Sequence, residues 1–131
     1  MSQPESTVPA HGLETALLIS PDEEDHEVLN ELFQHNSWTL RRAPSVNSAS
    51  AVLNEGATSV VITERDLPVG DWKGVLDVLH RLPKAPLLIV ISRLADNYLW
   101  AEALNLGAYD VLAKPLDQTE ATRVLTSAWI R

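Results

Sequence analysis

Five short apolar runs, with amphipathic segments between them, constrain the fold of this chain more than any other feature. TALLI (Thr15 to Ile19), WTLRRA (Trp38 to Ala43), TSVVIT (Thr58 to Thr63), PLLIVIS (Pro86 to Ser92) and YDVL (Tyr109 to Leu112) all have strand length. TSVVIT is β-branched almost throughout and PLLIVIS is almost wholly apolar, the pattern of strands covered on both faces. The Arg pair of WTLRRA suits an edge strand or a strand end.

The intervening segments read at helical period. Ser20 is the expected N-cap of the first, with Pro21 at the first helical position and Glu23 three residues after the cap. The acids Asp22, Glu23, Glu24 and Asp25 favour the positive end of a helix, and Val28, Leu29, Leu32 and Phe33 form one face, so a helix is predicted over Asp22 to His35. Further helices are predicted over Ser45 to Asn54, Lys73 to Arg81, Ala95 to Leu106 and Asp117 to Trp129, with Gly56 and Gly107 as stops. Glu64 to Trp72 reads as a loop punctuated by Pro68 and Gly70. Five β-α repeats with short connections predict an α/β domain with a parallel sheet and helices on both faces. The functional crevice of such a sheet lies at the carboxyl ends of its strands, here Ser20, Glu64, Ser92 and the neighbourhood of Lys114.

Composition narrows the function. The 131 residues suit one domain, expected over residues 13–131 after a Ser-, Pro- and Gln-rich arm over 1–12 that lacks any hydrophobic period. Acids outnumber bases 18 to 10, and a net charge of −8 argues against partners that are themselves anionic, nucleic acid and membrane surfaces alike. The absence of cysteine removes a disulfide scaffold, a zinc ribbon and a thiol nucleophile. No run has the 18 or so apolar residues of a membrane helix, and the start lacks the pattern of a signal peptide, so a cytoplasmic location is expected. His11, His26, His35 and His80 share no metal-ligand spacing and read as solvated side chains; no metal site is expected.

Three segments at the strand ends carry a family resemblance. Glu64-Arg65-Asp66-Leu67-Pro68 places an acid four residues before a proline, Ser92 ends the apolar fourth strand, and Ala113-Lys114-Pro115 follows Gly107-Ala108. From about Thr15 to Arg131 the chain resembles the receiver domain of two-component response regulators, the CheY-like family. The resemblance implies a flavodoxin-like, doubly wound sheet of five parallel strands in the order 2-1-3-4-5. It implies a phosphoacceptor position at Glu64, where the family carries Asp, and the family's Ser/Thr and Lys at Ser92 and Lys114. At the remaining positions the chain departs from the pattern. The two acids that follow the first strand and help hold Mg²⁺ are replaced by Ser20 and Pro21, and the aromatic switch position is Val111.

These departures change the expected chemistry. Phosphoryl transfer to a carboxylate needs charge neutralisation by Mg²⁺ and a cationic side chain, and Mg²⁺ needs hard oxygen ligands in octahedral array. With Ser20 and Pro21 in place of the acids, Mg²⁺ binding is expected to be lost or weak and no cofactor is expected; Asp22 is the nearest substitute, but a capped helix aims it elsewhere. Glu64, one methylene longer than Asp, is expected to form a permanent ion pair with Lys114, with a hydrogen bond from Ser92. Arg93 is expected to cover the pocket or to add a second cation to Glu64.

The resulting expectation is a receiver-like module of phosphorelay signalling that acts by protein–protein contact without phosphorylation and is not an enzyme. The alternatives are a regulator still phosphorylated at Glu64 or Asp66, and a small flavodoxin-like enzyme. The last is disfavoured by the lack of a Gly-rich phosphate loop or a nucleophile–base set. The resemblance implies partners such as a histidine kinase, another regulator or a second copy, forming a homodimer. They would meet the face made by helix 4, strand 5 and helix 5, where Tyr98 and Trp100 offer large aromatics. Trp100 folding over the core edge is the competing reading. Trp129 is expected over the core or against a partner, Trp38 and Trp72 at strand and loop edges, with Trp72 nearest the pocket.

Overall fold

The computed structural model describes residues 14–130, so the predicted arm, His11 included, lies outside the described residues. The strands are β1 (Thr15–Ile19), β2 (Thr39–Ala43), β3 (Val60–Glu64), β4 (Leu87–Ser92) and β5 (Asp110–Ala113). They alternate with α1 (Glu23–His35), α2 (Val46–Leu53), α3 (Trp72–His80), α4 (Asn97–Leu106) and α5 (Gln118–Trp129). All four strand pairings are parallel and the order is β2-β1-β3-β4-β5. This is the predicted doubly wound sheet.

Alternate residues of each central strand feed two separate cores. Leu17, Ile19, Val61 and Val90 pack with Ala49 and Leu53 of α2, Val75 and Leu79 of α3, and Leu99 and Ala103 of α4. Ala16, Leu18, Ile62, Ile89 and Ile91 pack with Leu29 and Phe33 of α1 and Val124 and Leu125 of α5. Burial on both faces removes the polar alternation of a half-exposed strand, and so β1, β3 and β4 read as continuous apolar runs. The Arg pair of β2 marks the sheet edge as expected, and both arginines are held, Arg41 by Glu55 at 3.0 Å and Arg42 by Glu23 at 2.9 Å. None of the described helices is long and apolar enough to cross a membrane.

Several expectations are corrected. The N-cap of α1 is Asp22, whose side chain accepts the Glu24 N–H, and not Ser20; Pro21 stands before the cap and not in the first turn. The Ser20 hydroxyl is turned to a different use, described below. Helix α4 starts at Asn97, two residues later than predicted, because Asp96 caps it through the Leu99 N–H. Trp72 is not at a loop edge: it opens α3 and is 1% exposed, among the largest side chains of the core. His26 is buried rather than solvated, with Nε2 2.8 Å from the Ser20 carbonyl oxygen. That contact makes Nε2 the protonated nitrogen and leaves Nδ1 a buried lone pair without a partner. Trp38 and Trp129 meet Phe33 in a three-ring cluster, with centroids 4.8 to 5.9 Å apart, and Trp129 Nε1 donates to Ser59 Oγ at 2.9 Å. Trp129 therefore serves the core, tying the end of α5 to α1 and to the residue before β3.

Candidate functional site

The carboxyl ends of β1, β3, β4 and β5 bring Ser20, Glu64, Ser92 and Lys114 to one end of the sheet. Register does this: Glu64 stands opposite Ile91, Ser92 opposite Ala113, and Lys114 N donates to the Ser92 carbonyl at 2.9 Å. The Lys114–Pro115 peptide is cis.

The Lys114 ammonium is the centre of the site. It donates to Glu64 Oε1 in a short contact and to both oxygens of Asp25 at 3.1 and 3.0 Å, and Asp22 Oδ2 lies 3.9 Å away. The side chains of Lys114 and Asp25 are 7% and 5% exposed, and that of Glu64 is 16% exposed. The second Glu64 oxygen accepts the Arg65 N–H at 3.0 Å. Ser20 Oγ donates to Asp25 Oδ2 at 2.8 Å and accepts the Asp22 N–H at 3.0 Å. Each carboxylate thus has its own donors besides the shared ammonium, the condition under which a buried ion cluster is sustained.

The Glu64–Lys114 pair is the one expected from the sequence. The other residues depart from expectation in informative ways. Ser92 Oγ accepts the Leu94 N–H at 3.0 Å, in the turn that leads to α4, and does not supply the hydrogen bond foreseen for Glu64. Arg93 pairs with Glu24 at 3.5 Å rather than with Glu64, and lines a cavity beside Lys114. Asp22 both caps α1 and approaches Lys114. Asp66, the alternative acceptor, is exposed beyond the end of β3, bridged to Asp71 across the loop. Val111 is buried under α4 among Val90, Leu99 and Ala103. Tyr98 is 77% and Trp100 48% exposed on α4, and Trp100 is not among the side chains packed against either core.

Asp25 was missed. It sits in the SPDEED run and reads there as one more acid of a helix start. Its position held the signal: Asp25 lies four residues before Leu29 and seven before Leu32, on the stripe that faces the sheet. An acid on the buried face needs a partner, and Lys114 is that partner. No group of three or more metal-ligating side chains is arranged for a metal ion among the described residues.

Burial opposes the charge of Lys114. The hydrogen bonds it donates to Glu64 and Asp25, with their negative charges, outweigh that penalty and raise its pKa above the ordinary 10.5. A raised folded-state pKa contributes stability that is complete below the unfolded value and is lost as pH rises through the folded one. The urea-midpoint difference between the native chain and Lys114→Met is therefore expected to be constant from neutral pH to just below 10.5, and to shrink only above it. A difference that collapses well below that pH would mean the ammonium is not held by the two carboxylates.

A parallel 2-1-3-4-5 sheet, with an acid ending β3, a serine ending β4 and a Lys-Pro step after β5, defines a doubly wound signalling domain of the receiver class. The chain belongs to the response regulator receiver domain family, whose family model matches residues 17–126. The two-component response regulator-like protein APRR3 of Arabidopsis thaliana is 27% identical over 119 residues. The match covers 88% of this chain and 24% of that protein, so the chain spans about a quarter of the relative's length. Among solved structures, the receiver domain of the Francisella response regulator 1452 superposes with a TM-score of 0.81 at 20% identity, over 90% of this chain and 98% of that one. The signal receiver domain of an HD domain-containing protein from Pseudomonas fluorescens gives 0.79 at 27% identity, over 88% and 86%. A Saccharomyces cerevisiae co-crystal of a histidine phosphotransfer protein and the receiver domain of its downstream response regulator gives 0.75 at 16% identity, over 88% of each chain. Low identity at high TM-score is the mark of a shared fold.

Proposed function

We propose that this receiver domain is an interaction module of two-component signalling that takes no phosphoryl group and has no reaction of its own. The observation that supports this reading is the Lys114 ammonium held between Glu64 and Asp25. Phosphoryl transfer would need that cation at an incoming phosphoryl oxygen, beside a metal ion that neutralises the rest of the charge. Here both of its hydrogen-bonded partners are internal carboxylates. Glu64 would have to leave Lys114 and the Arg65 N–H to act as an acceptor, and Ser20 and Pro21 supply no carboxylate for Mg²⁺. Ser92 bonded to Leu94, with Val111 in place of an aromatic, supports a module without the usual serine-to-aromatic coupling. Its partners, a histidine kinase, another regulator or a second copy, would meet the Tyr98 and Trp100 face of α4. In the yeast co-crystal the receiver domain is paired with a histidine phosphotransfer protein.

Calorimetric titration with Mg²⁺ and then beryllofluoride, a phosphoryl mimic, tests the reading. No heat beyond dilution is expected. A saturable heat that disappears in Glu64→Ala would overturn the proposal in favour of phosphorylation at Glu64; one that disappears only in Asp66→Ala would move the acceptor there.

A further inference from the structure

His26 is buried on α1 at 4% exposure, and its two ring nitrogens are unequally provided for. Nε2 lies 2.8 Å from the Ser20 carbonyl oxygen and so carries the ring proton. Nδ1 is the one buried side-chain nitrogen or oxygen without a hydrogen-bond partner among the described residues. A native structure rarely leaves such a group without a reason. Any N–H donor would satisfy the carbonyl. Imidazole alone adds a second nitrogen that can take up a proton between about pH 5 and 8.

The carbonyl it serves belongs to the residue that ties the turn between β1 and α1 together. Ser20 is fully buried. Its N–H donates to the Ala43 carbonyl of β2 at 3.0 Å, and its hydroxyl accepts the Asp22 N–H at 3.0 Å and donates to Asp25 at 2.8 Å. Asp25 in turn holds the Lys114 ammonium. His26 thus braces the backbone of the residue whose hydroxyl aligns Asp25.

The charged groups around the ring leave Nδ1 no acceptor. On α1, Asp22 accepts the Glu24 N–H, Glu23 gives both oxygens to Arg42, and Asp25 is held by Ser20 and Lys114. On β2, the cation Arg42 lines a cavity of about 190 Å³ together with Glu23 and His26, beside Ala43 and Pro44. The ring also stands in the first turn of α1, at the positive end of the helix. A proton on Nδ1 would therefore make a buried cation with an unanswered N–H. The carboxylates of α1 attract such a cation. The ring meets one only by leaving Ser20 for the solvated side, where the Glu23 side chain is 73% exposed.

We propose that His26 is a proton-driven latch on the β1–α1 turn. A proton taken from solvent onto Nδ1 drives the imidazolium out of its seat, the Ser20 carbonyl loses its donor, and Asp25 loses the alignment that holds Lys114. The latch acts on the ion cluster itself and does not depend on whether Glu64 accepts a phosphoryl group.

The test compares the full chain with His26→Gln from pH 7.5 to 5.5. Glutamine keeps an N–H donor for Ser20 and takes up no proton in this range. His35 and His80 are present in both chains, so the difference between them reads His26. In the native chain the backbone amide signals of Asp22 and Asp25 are expected to move together with the His26 ring in one protonation step, and that step is expected to be absent from the variant. The open and unfolded states accept the proton that the closed state refuses, so native stability is lost as pH falls. The native folding constant, measured by urea unfolding, is expected to fall relative to that of His26→Gln by up to about tenfold per pH unit, the limit for one proton. A ratio that stays constant over the range, or a ring that takes up its proton while the Asp22 and Asp25 amides stand still, would overturn the proposal. Should His26→Gln not fold, the ring ¹⁵N spectrum of the native chain decides. Loss of the Nε2 bond to Ser20 on protonation supports the latch, and an Nδ1 that is protonated while that bond persists refutes it.

Discussion

Lys114→Met is expected to destabilise the domain by about 3–5 kcal/mol, the cost of breaking a buried ion pair from one side. The methionine fills much of the lysine's volume, so the loss is electrostatic rather than a cavity. Asp25 is left with the Ser20 hydroxyl and no countercharge at 5% exposure, facing Glu64 across a space that no longer holds a cation. The triple substitution Lys114→Met, Asp25→Asn, Glu64→Gln is expected to recover most of that loss, because no uncompensated charge remains buried. Urea unfolding followed by circular dichroism measures both, and the slope with denaturant should stay unchanged if only the native state is affected. A single-mutant cost below about 1 kcal/mol would place the cluster with solvated surface pairs instead. The contrast between the single and triple variants separates two statements that a single deletion confuses. Breaking the cluster is expensive, while its net contribution against a neutral site is small.

The same cluster shows how much of this molecule is legible in its sequence. Strand identity and a parallel sheet followed from apolar runs and short connections, because burial on both faces leaves β1, β3 and β4 no other composition, while the strand order came only with the family resemblance. Glu64 and Lys114 sit at strand ends that a parallel sheet brings to one edge, and the family resemblance pointed the one at the other. Asp25 was not read, although it is buried within the range of the core residues. Charge patterning at a helix start and amphipathic phase gave opposite assignments for it, and the first was followed. Ser20 failed for a related reason. A serine before Pro-Asp-Glu satisfies the rules for an N-cap, but Asp22 satisfies them two residues later, and the competition is decided by what Ser20 Oγ can reach in three dimensions. Ser92 could bond to Glu64 or to the turn that follows it, and the local bond to Leu94 N–H prevails. Trp72 was placed at an edge because it follows a Pro- and Gly-containing loop. The loop folds back on itself, with Leu67 N–H bonded to the Gly70 carbonyl, and delivers the indole inward.

Trp72→Ala is expected to cost about 3–5 kcal/mol, the range for removing a fully enclosed aromatic side chain. Trp72 is 1% exposed and shares its core with Leu17, Val61 and Leu79. Its effect should extend beyond lost packing. The Trp72 N–H donates to the Arg65 carbonyl at 2.9 Å, and the Arg65 N–H in turn bonds to Ile91 O and to Glu64 Oε2. The Trp72 backbone therefore anchors the loop that holds the Glu64 carboxylate, and the enclosed indole seats that backbone against the core. Amide exchange at Arg65 is expected to accelerate more than global unfolding alone requires, since a cavity beneath α3 frees the loop to open locally. Thermal or urea unfolding gives the first quantity, and hydrogen exchange by NMR gives the second. Exchange at Arg65 that merely follows the global stability would show that the Arg65 contact to Glu64 does not depend on the indole. Faster local exchange would show that the ion cluster depends on the opposite core for its geometry. In that case any partner contact that loosens α3 would weaken the Glu64–Lys114 pair through the Arg65 loop, although Trp72 is in neither the cluster nor the cavity beside it.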